Sequence, residues 1–185
     1  MSEQFFNLQT GEKVIQEIKP TPSLRTFYFF KWFPICLFLS IWLLAFFGFL
    51  KSAITKTFSF DFSTAIFAVL IILVLPFFLA SNEYSHRYYW ITNKRIIFKR
   101  GILGYSITST PLERISDIAI TRTLFEKIFK IQGLQIESLA GQHTPQGIFG
   151  GGAESSLQAI PEPEKTQELI FSLVKKKRKT EKLSF

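Results

Sequence analysis

The sequence is poor in the residues that build metal centres, disulfide frameworks and catalytic triads. Its 185 residues include one cysteine and two histidines. A single cysteine excludes an intrachain disulfide framework and a thiolate metal cluster. His86 and His143 are far apart in the sequence and belong to no metal motif, and no nucleophile-elbow motif accompanies the serines. The sequence therefore predicts neither an enzyme nor a cofactor-binding protein.

Charge is absent from two long stretches of the chain. Residues 33–50 and residues 62–79 each run for 18 positions without an ionisable side chain of the Asp, Glu, Lys, Arg or His type. Each stretch would span about 27 Å as a helix, close to the roughly 30 Å hydrocarbon thickness of a bilayer. Neither has the polar stripe that is typical of a core helix. The two stretches predict a transmembrane helical hairpin over residues 32–81, with the lipid bilayer as its surroundings.

Basic residues near the helix ends predict the orientation of this hairpin. The flank before the first helix carries four Lys and Arg residues and the flank after the second carries five, whereas the connector at residues 51–61 carries two. Lys and Arg are enriched on the cytoplasmic side of membrane proteins. We therefore expect a multi-pass protein of the plasma (inner) membrane with both termini in the cytoplasm, and residues 1–31 form its cytoplasmic N-terminal segment.

The chain after the hairpin has the pattern of a small β domain, expected over residues 82–178 with a tail at residues 179–185. Short apolar and β-branched runs separated by turn residues predict strands at residues 88–91, 95–99, 105–110, 115–121, 134–139 and 157–160. Residues 124–131 have apolar side chains at helical spacing, which predicts one or two helical turns. Five glycines in residues 141–153 predict a mobile loop. Acidic residues after Pro161 and a basic run at residues 175–179 are typical of the two ends of a helix.

The alternation within these strands predicts which side chains form the core of the β domain. Leu169 and Leu173 lie one helical turn apart on the C-terminal helix and are expected to close the core. The strand and loop residues expected there are Trp90, Ile97, Leu112, Ile118, Leu134 and Ile136.

The order of motifs along the chain resembles that of the bacterial pleckstrin-homology (PH) domain family. A strand ending in Ile-Thr-Asn at residues 91–93 is followed by a basic strand and glycine, a polar strand, and a Pro-Leu-x-x-Ile step at residues 111–115. A later glycine step and an Ile-Pro-Glu-Pro entry into the last helix, at residues 160–163, complete the pattern. The resemblance covers most of residues 11–175. It implies a PH-like fold, a bent antiparallel sheet of about seven strands closed by a C-terminal α-helix, from which the glycine-rich insertion departs.

Clusters of basic residues are the candidate binding residues. The chain has 22 Lys and Arg against 14 Asp and Glu, a formal net charge of +8. A basic residue close to an anionic bilayer contributes about 1 kcal/mol, and the predicted contacts with anionic lipids are Lys94, Arg95, Lys175, Lys176, Lys177, Arg178 and Lys179. In the alternative interpretation these residues only set membrane topology and solubility. Nucleic acid is disfavoured as a partner because the basic run lacks interleaved aromatic residues.

The predicted hairpin and the resemblance to the bacterial PH domain family together predict a non-enzymatic integral membrane protein that presents a cytoplasmic PH-like interaction domain. The expected partner is a protein, a second copy of the chain or anionic lipid headgroups, and each is compatible with a scaffold role. A second hypothesis makes the chain a subunit of a membrane export or resistance complex, in which the hairpin carries the function. The absence of charged side chains within the spans argues against transport by a single chain.

Overall fold

A computed structural model describes residues 6–55, 62–138 and 156–182 of the protein. The chain divides into two compact units. The helical unit is Arg25–Ser85, and the β unit combines Met1–Leu24 with His86–Phe185. The predicted glycine-rich loop and His143 lie outside the described residues.

Two long apolar helices make up almost all of the helical unit. Helix α1 spans Ser23–Thr55 and helix α2 spans Phe62–Ser85. By length and composition both could cross a membrane, and at about 1.5 Å per residue α1 is longer than a bilayer is thick. Large apolar side chains such as Phe38 and Phe49, each 72% exposed, cover their outer surfaces. This composition suggests association with a membrane, as expected, although both helices extend beyond the uncharged stretches of the sequence.

Polar contacts within the helical unit join the start of α1 to the end of α2. The Glu83 carboxylate, on a residue that is 4% exposed, accepts hydrogen bonds from Lys31 Nζ at 3.2 Å and from Trp32 Nε1 at 2.9 Å. A buried charge is tolerated when it is paired and hydrogen-bonded in this way. Because residues 31–32 and residue 83 are near opposite ends of the unit's sequence, these bonds hold α1 and α2 as an antiparallel hairpin.

Seven strands within the described residues form two antiparallel sheets. The first sheet has the order β1-β2-β3-β4 and the second has the order β5-β6-β7. The strands are β1 Val14–Ile18, β2 Tyr88–Thr92, β3 Arg95–Arg100, β4 Ser106–Pro111, β5 Ile115–Thr121, β6 Gly133–Ser138 and β7 Ser156–Gln158. A short helix, α3 (Leu124–Ile128), connects β5 to β6, and a longer one, α4 (Pro163–Lys182), ends the described chain.

The expectation of a single sheet of about seven strands closed by a helix is not confirmed. Pro111 ends β4, and a 3-10 turn at Leu112–Arg114 redirects the chain into β5 and the second sheet. Helix α4 packs against β5, β6 and this turn. The architecture, a mainly-β domain of two antiparallel sheets beside two long apolar helices, fits a PH-like fold.

Strand β1 is the element that sequence reasoning did not identify. It pairs antiparallel with β2, with Ile18 opposite Tyr89, and therefore belongs to the β unit and not to a separate N-terminal segment. The helical unit is thus inserted between two adjacent strands of one sheet. Only residues 19–22 connect β1 to α1, and only residues 86–87 connect α2 to β2.

The core of the β unit contains most of the predicted side chains. Leu112, Ile118, Leu134 and Ile136 are at most 3% exposed and belong to one apolar cluster. Leu169 and Leu173 pack at its edge, while the deepest contacts from α4 come from Ile170 and Val174.

Trp90 and Ile97 are also buried, but on the other face of the first sheet. The two residues are paired across β2 and β3, and their neighbours on either side, among them Tyr89 and Phe98, face the core. Trp90 instead packs its ring against Phe6, with 5.1 Å between ring centroids. Trp90 and Ile97 were predicted to be buried and are, at 4% and 1% exposed, but they lie outside the main apolar cluster.

The β unit has two distinguishable ends. One, the attachment end, holds the strand termini that are joined to the helices, Ile18 and Tyr88, with the β3–β4 loop beside them. The second sheet also reaches this end. Thr21, in the connector between β1 and α1, donates its N–H to the carbonyl of Ala159, the residue after β7, at 2.8 Å. The other, the basic end, holds the β2–β3 turn and the start of β5.

Candidate functional site at the basic end

Arg95, one of the predicted basic residues, forms an internal ion pair. It is the first residue of β3, and its Nε and Nη2 atoms donate to the Glu12 carboxylate at 2.9 and 3.1 Å. The Glu12 side chain has no exposed surface. Its carboxylate also accepts from Thr92 Oγ1 at 2.8 Å and from the Gln9 N–H at 2.7 Å. The ion pair fastens the segment before β1 to the β2–β3 turn.

The ionisation of Glu12 reflects this network. Burial disfavours the charged carboxylate, but the hydrogen bonds from Arg95, Gln9 and Thr92, together with the positive charge of Arg95, outweigh that effect. The pKa of Glu12 is therefore lowered from its ordinary value of 4.5. The Glu12 carboxylate is therefore ionised at neutral pH.

Lys94 and its neighbour Asn93 bind the same N-terminal segment through its backbone. Lys94 Nζ donates to the Thr10 carbonyl at 2.8 Å. Asn93 accepts from the Lys13 N–H at 2.9 Å and donates to the Gly11 carbonyl at 3.0 Å. The β2–β3 turn thus binds the segment before β1 and fixes its position on the domain.

The basic run of α4 reaches the same end of the β unit. Lys177 Nζ lies 3.1 Å from the Glu113 carboxylate, and Arg178 Nη2 donates to the Ile115 carbonyl at 2.7 Å. The other three members of the run, Lys175, Lys176 and Lys179, are exposed. Two of the five predicted contacts on α4 therefore hold the helix to the start of β5.

The structure brings the two predicted clusters together around one polar cleft. Lys94, Arg95 and Lys177 line it together with Gln9, Pro111 and Glu113. Because Glu12 and Glu113 neutralise two of the three cations, the cleft is mixed in charge, and the excess positive charge lies on the exposed face of α4. Such a surface can bind an anionic group by hydrogen bonds and charge. The contacts with anionic lipids that the sequence predicts for these residues stay a prediction.

Two residues of this site were not selected from the sequence as part of it. Glu12 follows a glycine in a polar stretch with no visible partner, since Arg95 is 83 residues away. Glu113 precedes Arg114 in the sequence, but its ion-pair partner is Lys177 on α4. Within the described ranges, no group of three or more His, Cys, Asp and Glu side chains could hold a metal ion.

Comparison with known proteins identifies the family. The sequence model of the bacterial PH domain matches residues 35–174, which include most of the helical hairpin and all strands from β2 onward. No curated protein and no solved structure matches the chain significantly. Bacterial PH domains are non-catalytic interaction modules. With three quarters of its length matched, and two antiparallel sheets and a C-terminal helix in the expected order, the chain belongs to the bacterial PH domain family.

Proposed function

We propose that the protein is a non-enzymatic, membrane-anchored interaction module that binds a protein partner through the basic end of its PH-like domain. Two transmembrane helices anchor the domain. The partner presents an acidic segment to the exposed cations of α4 and to the adjoining cleft.

The insertion of the hairpin between β1 and β2 carries this proposal. Because β1 and β2 are hydrogen-bonded to each other, the start of α1 and the end of α2 must lie on the same side of a membrane that both helices cross. The excess of Lys and Arg in the two flanks makes that side the cytoplasm. Two short connectors, residues 19–22 and 86–87, then hold the attachment end of the domain close to the bilayer, since an extended residue spans at most about 3.6 Å.

A protein partner fits the basic end better than a lipid does. The basic end lies at the opposite end of the first sheet from the two connectors. Its cleft also presents Glu113 and Gln9 beside Lys94 and Lys177, a mixture of donors and acceptors that suits a polypeptide better than an anionic surface. Interfaces of this kind owe their specificity and association rate to charge complementarity.

Site-specific photocrosslinking of the full chain in its native membrane tests the proposal. A photoreactive phenylalanine analogue replaces Lys175, an exposed residue of the basic run, or Lys165, an exposed lysine ten residues earlier on the same helix. We expect position 175 to give a discrete protein adduct that position 165 does not give. Charge reversal at Lys179 should reduce the yield of the adduct at position 175.

Three outcomes would contradict the proposal. Adducts of lipid mass at position 175 would assign the basic end to the bilayer. An adduct with a second copy of the chain would replace the partner by self-association. Equal adduct patterns at positions 175 and 165 would show that the basic end has no specific partner.

A further inference from the structure

Helix α3 is short, but its two ends are firmly fixed. Thr123 and Glu126 form a reciprocal capping box, in which the Thr123 N–H donates to Glu126 Oε2 at 2.7 Å and the Glu126 N–H donates to Thr123 Oγ1 at 3.3 Å. At the other end Lys130 adopts a left-handed conformation with φ of 54°, and the Ile131 N–H donates to the Glu126 carbonyl at 2.8 Å. These contacts fix both ends of the helix, so its orientation on the β unit is defined.

The outer face of α3 is apolar and open to solvent. Leu124 is 82% exposed and Ile128, one turn later, is 71% exposed, with Phe125 at 40% beside them. Glu126 on α3, and Ile131 just after it, are at most 2% exposed. Apolar residues at helical spacing normally face a core, and here that face is turned outward. Contiguous exposed apolar groups of this kind mark an interaction surface.

Three exposed basic residues surround this apolar face. Arg122 precedes the helix, Lys127 lies on it and Lys130 follows it by two residues. The one acidic residue between them, Glu126, is buried in the capping box. The exposed part of residues 122–130 is thus apolar at its centre and positive around it, the composition of segments that lie in a membrane interface.

The position of α3 in the fold indicates what binds to this surface. The helix connects the end of β5 to the start of β6, where Thr121, Gly133 and Gln158 are neighbours across the second sheet. Gln158 is bonded to Tyr89, since its N–H donates to the Tyr89 hydroxyl at 2.9 Å. Tyr89 is the second residue of β2, so α3 belongs to the attachment end.

The chain at this end leads directly into the apolar helices. Glu83 is the first charged residue of α2, and β2 begins only five residues after it. A second exposed apolar side chain, Leu103 in the β3–β4 loop, is 79% exposed at the same end. Two separate loops therefore expose apolar residues where the domain is joined to its anchor.

We propose that the outer face of α3 lies in the headgroup region of the bilayer, with Leu124 and Ile128 inserted among the lipids and Arg122, Lys127 and Lys130 at anionic phosphates. The proposal rests on the membrane anchoring proposed above. It makes the hairpin and α3 two separate contacts of one domain with the same leaflet, and together they fix its orientation.

Fluorescence of single labels on the full chain in vesicles tests this contact. Cys36 is replaced by alanine, and a single cysteine at position 128 or position 15 carries an environment-sensitive fluorophore. Ile15 is the matched control, because it is an isoleucine that is 43% exposed but lies on β1, outside α3 and the β3–β4 loop. The vesicles contain phosphatidylcholine and phosphatidylglycerol, with or without a lipid spin-labelled near its headgroup.

We expect the label at position 128 to emit at shorter wavelength than the label at position 15 and to lose fluorescence when the spin-labelled lipid is present. A label at position 128 that emits as in water would overturn the contact. A blue-shifted label that the lipid does not quench would mean that protein, and not lipid, covers α3. Alkaline carbonate extraction separates the two proposals: a chain that stays in the vesicles while position 128 remains in water retains its anchor and loses only the α3 contact.

Discussion

The two ends of the β unit use charge and apolar surface in opposite ways. At the basic end the conspicuous cations are largely satisfied within the domain, since Arg95 is paired with Glu12 and Lys177 with Glu113. At the attachment end an apolar helix face, with Leu124 at its centre, remains open. In this domain, some cations of a basic run are paired internally, so fewer are available for binding than the sequence indicates. Some apolar residues at helical spacing face solvent, so the core is smaller than the sequence indicates.

The sharpest test compares two isoleucines at the attachment end. Ile131 is 1% exposed and Ile128 is 71% exposed. Replacing a buried isoleucine by alanine typically costs about 2–5 kcal/mol, so Ile131→Ala should lower the free energy of unfolding of the β unit clearly. Ile128→Ala should leave it nearly unchanged. Pulse proteolysis of the full chain in detergent across a urea series measures both, and equal losses would mean that the outer face of α3 belongs to the core.

At the basic end the largest effect is expected from Glu12→Ala. This change leaves the mostly buried Arg95 guanidinium without its counter-ion, which costs about 3 kcal/mol for a pair of this kind. Glu17→Ala, an exposed acidic residue on the same segment, is the matched control and should have little effect. The same urea series compares them. A loss no greater than that of the control would show that this attachment of the segment before β1 is dispensable.

Acid should weaken the basic end through the same carboxylate. Because the pKa of Glu12 is lowered in the folded protein, the unfolded state binds more protons between the two pKa values, and stability rises with pH across that window. The contribution of Glu12 is complete above its ordinary pKa of 4.5 and is lost as pH falls through the lower folded value. The difference in urea midpoint between wild type and Glu12→Gln should therefore shrink on acidification. A constant difference would contradict the assigned ionisation.

The smallest effect is expected at the contact between Lys177 and Glu113. Both side chains are substantially exposed, at 31% and 47%, and such pairs contribute about 0–1 kcal/mol. Lys177→Ala should barely move the urea midpoint, and added salt should remove what difference there is. A loss comparable to that of Glu12→Ala would mean that this contact, too, belongs to the structural framework.

Much of the fold could be predicted because local signals were strong. Uncharged runs located both long helices, and turn residues located the strands from β2 to β7 within about two residues. Strand β1 was missed because its partner lies beyond the hairpin, and a pairing across residues 19–87 leaves no local trace. The main cluster takes Tyr89 and Ile91 from β2, whereas Trp90 is buried on the other face; the run Tyr-Tyr-Trp-Ile has no polar residue that would distinguish the two faces.

The site was less predictable than the fold, because charges are paired in space and not along the sequence. Lys94, Arg95 and Lys177 were predicted as separate basic clusters, and their position around one cleft could not be read from the sequence. The residues near Arg95 in the sequence likewise do not indicate that Glu12 is its partner. The outward orientation of α3 was equally hidden. Its apolar spacing predicts a helix, but only the burial of Glu126, through a cap to Thr123, shows which side faces the domain.

Because both helices lie between β1 and β2 in the sequence, the first sheet can be completed only late in synthesis of the chain. Strand β1 leaves the ribosome before either helix and must wait for β2, which is made only after the whole hairpin. If a single helix entered the bilayer, the two strands would be left on opposite sides, and Glu12 could never meet Arg95. For a chain anchored as proposed, completion of the first sheet therefore excludes insertion of only one helix, and a chain that fails this step exposes its unpaired strand edges to cellular proteases.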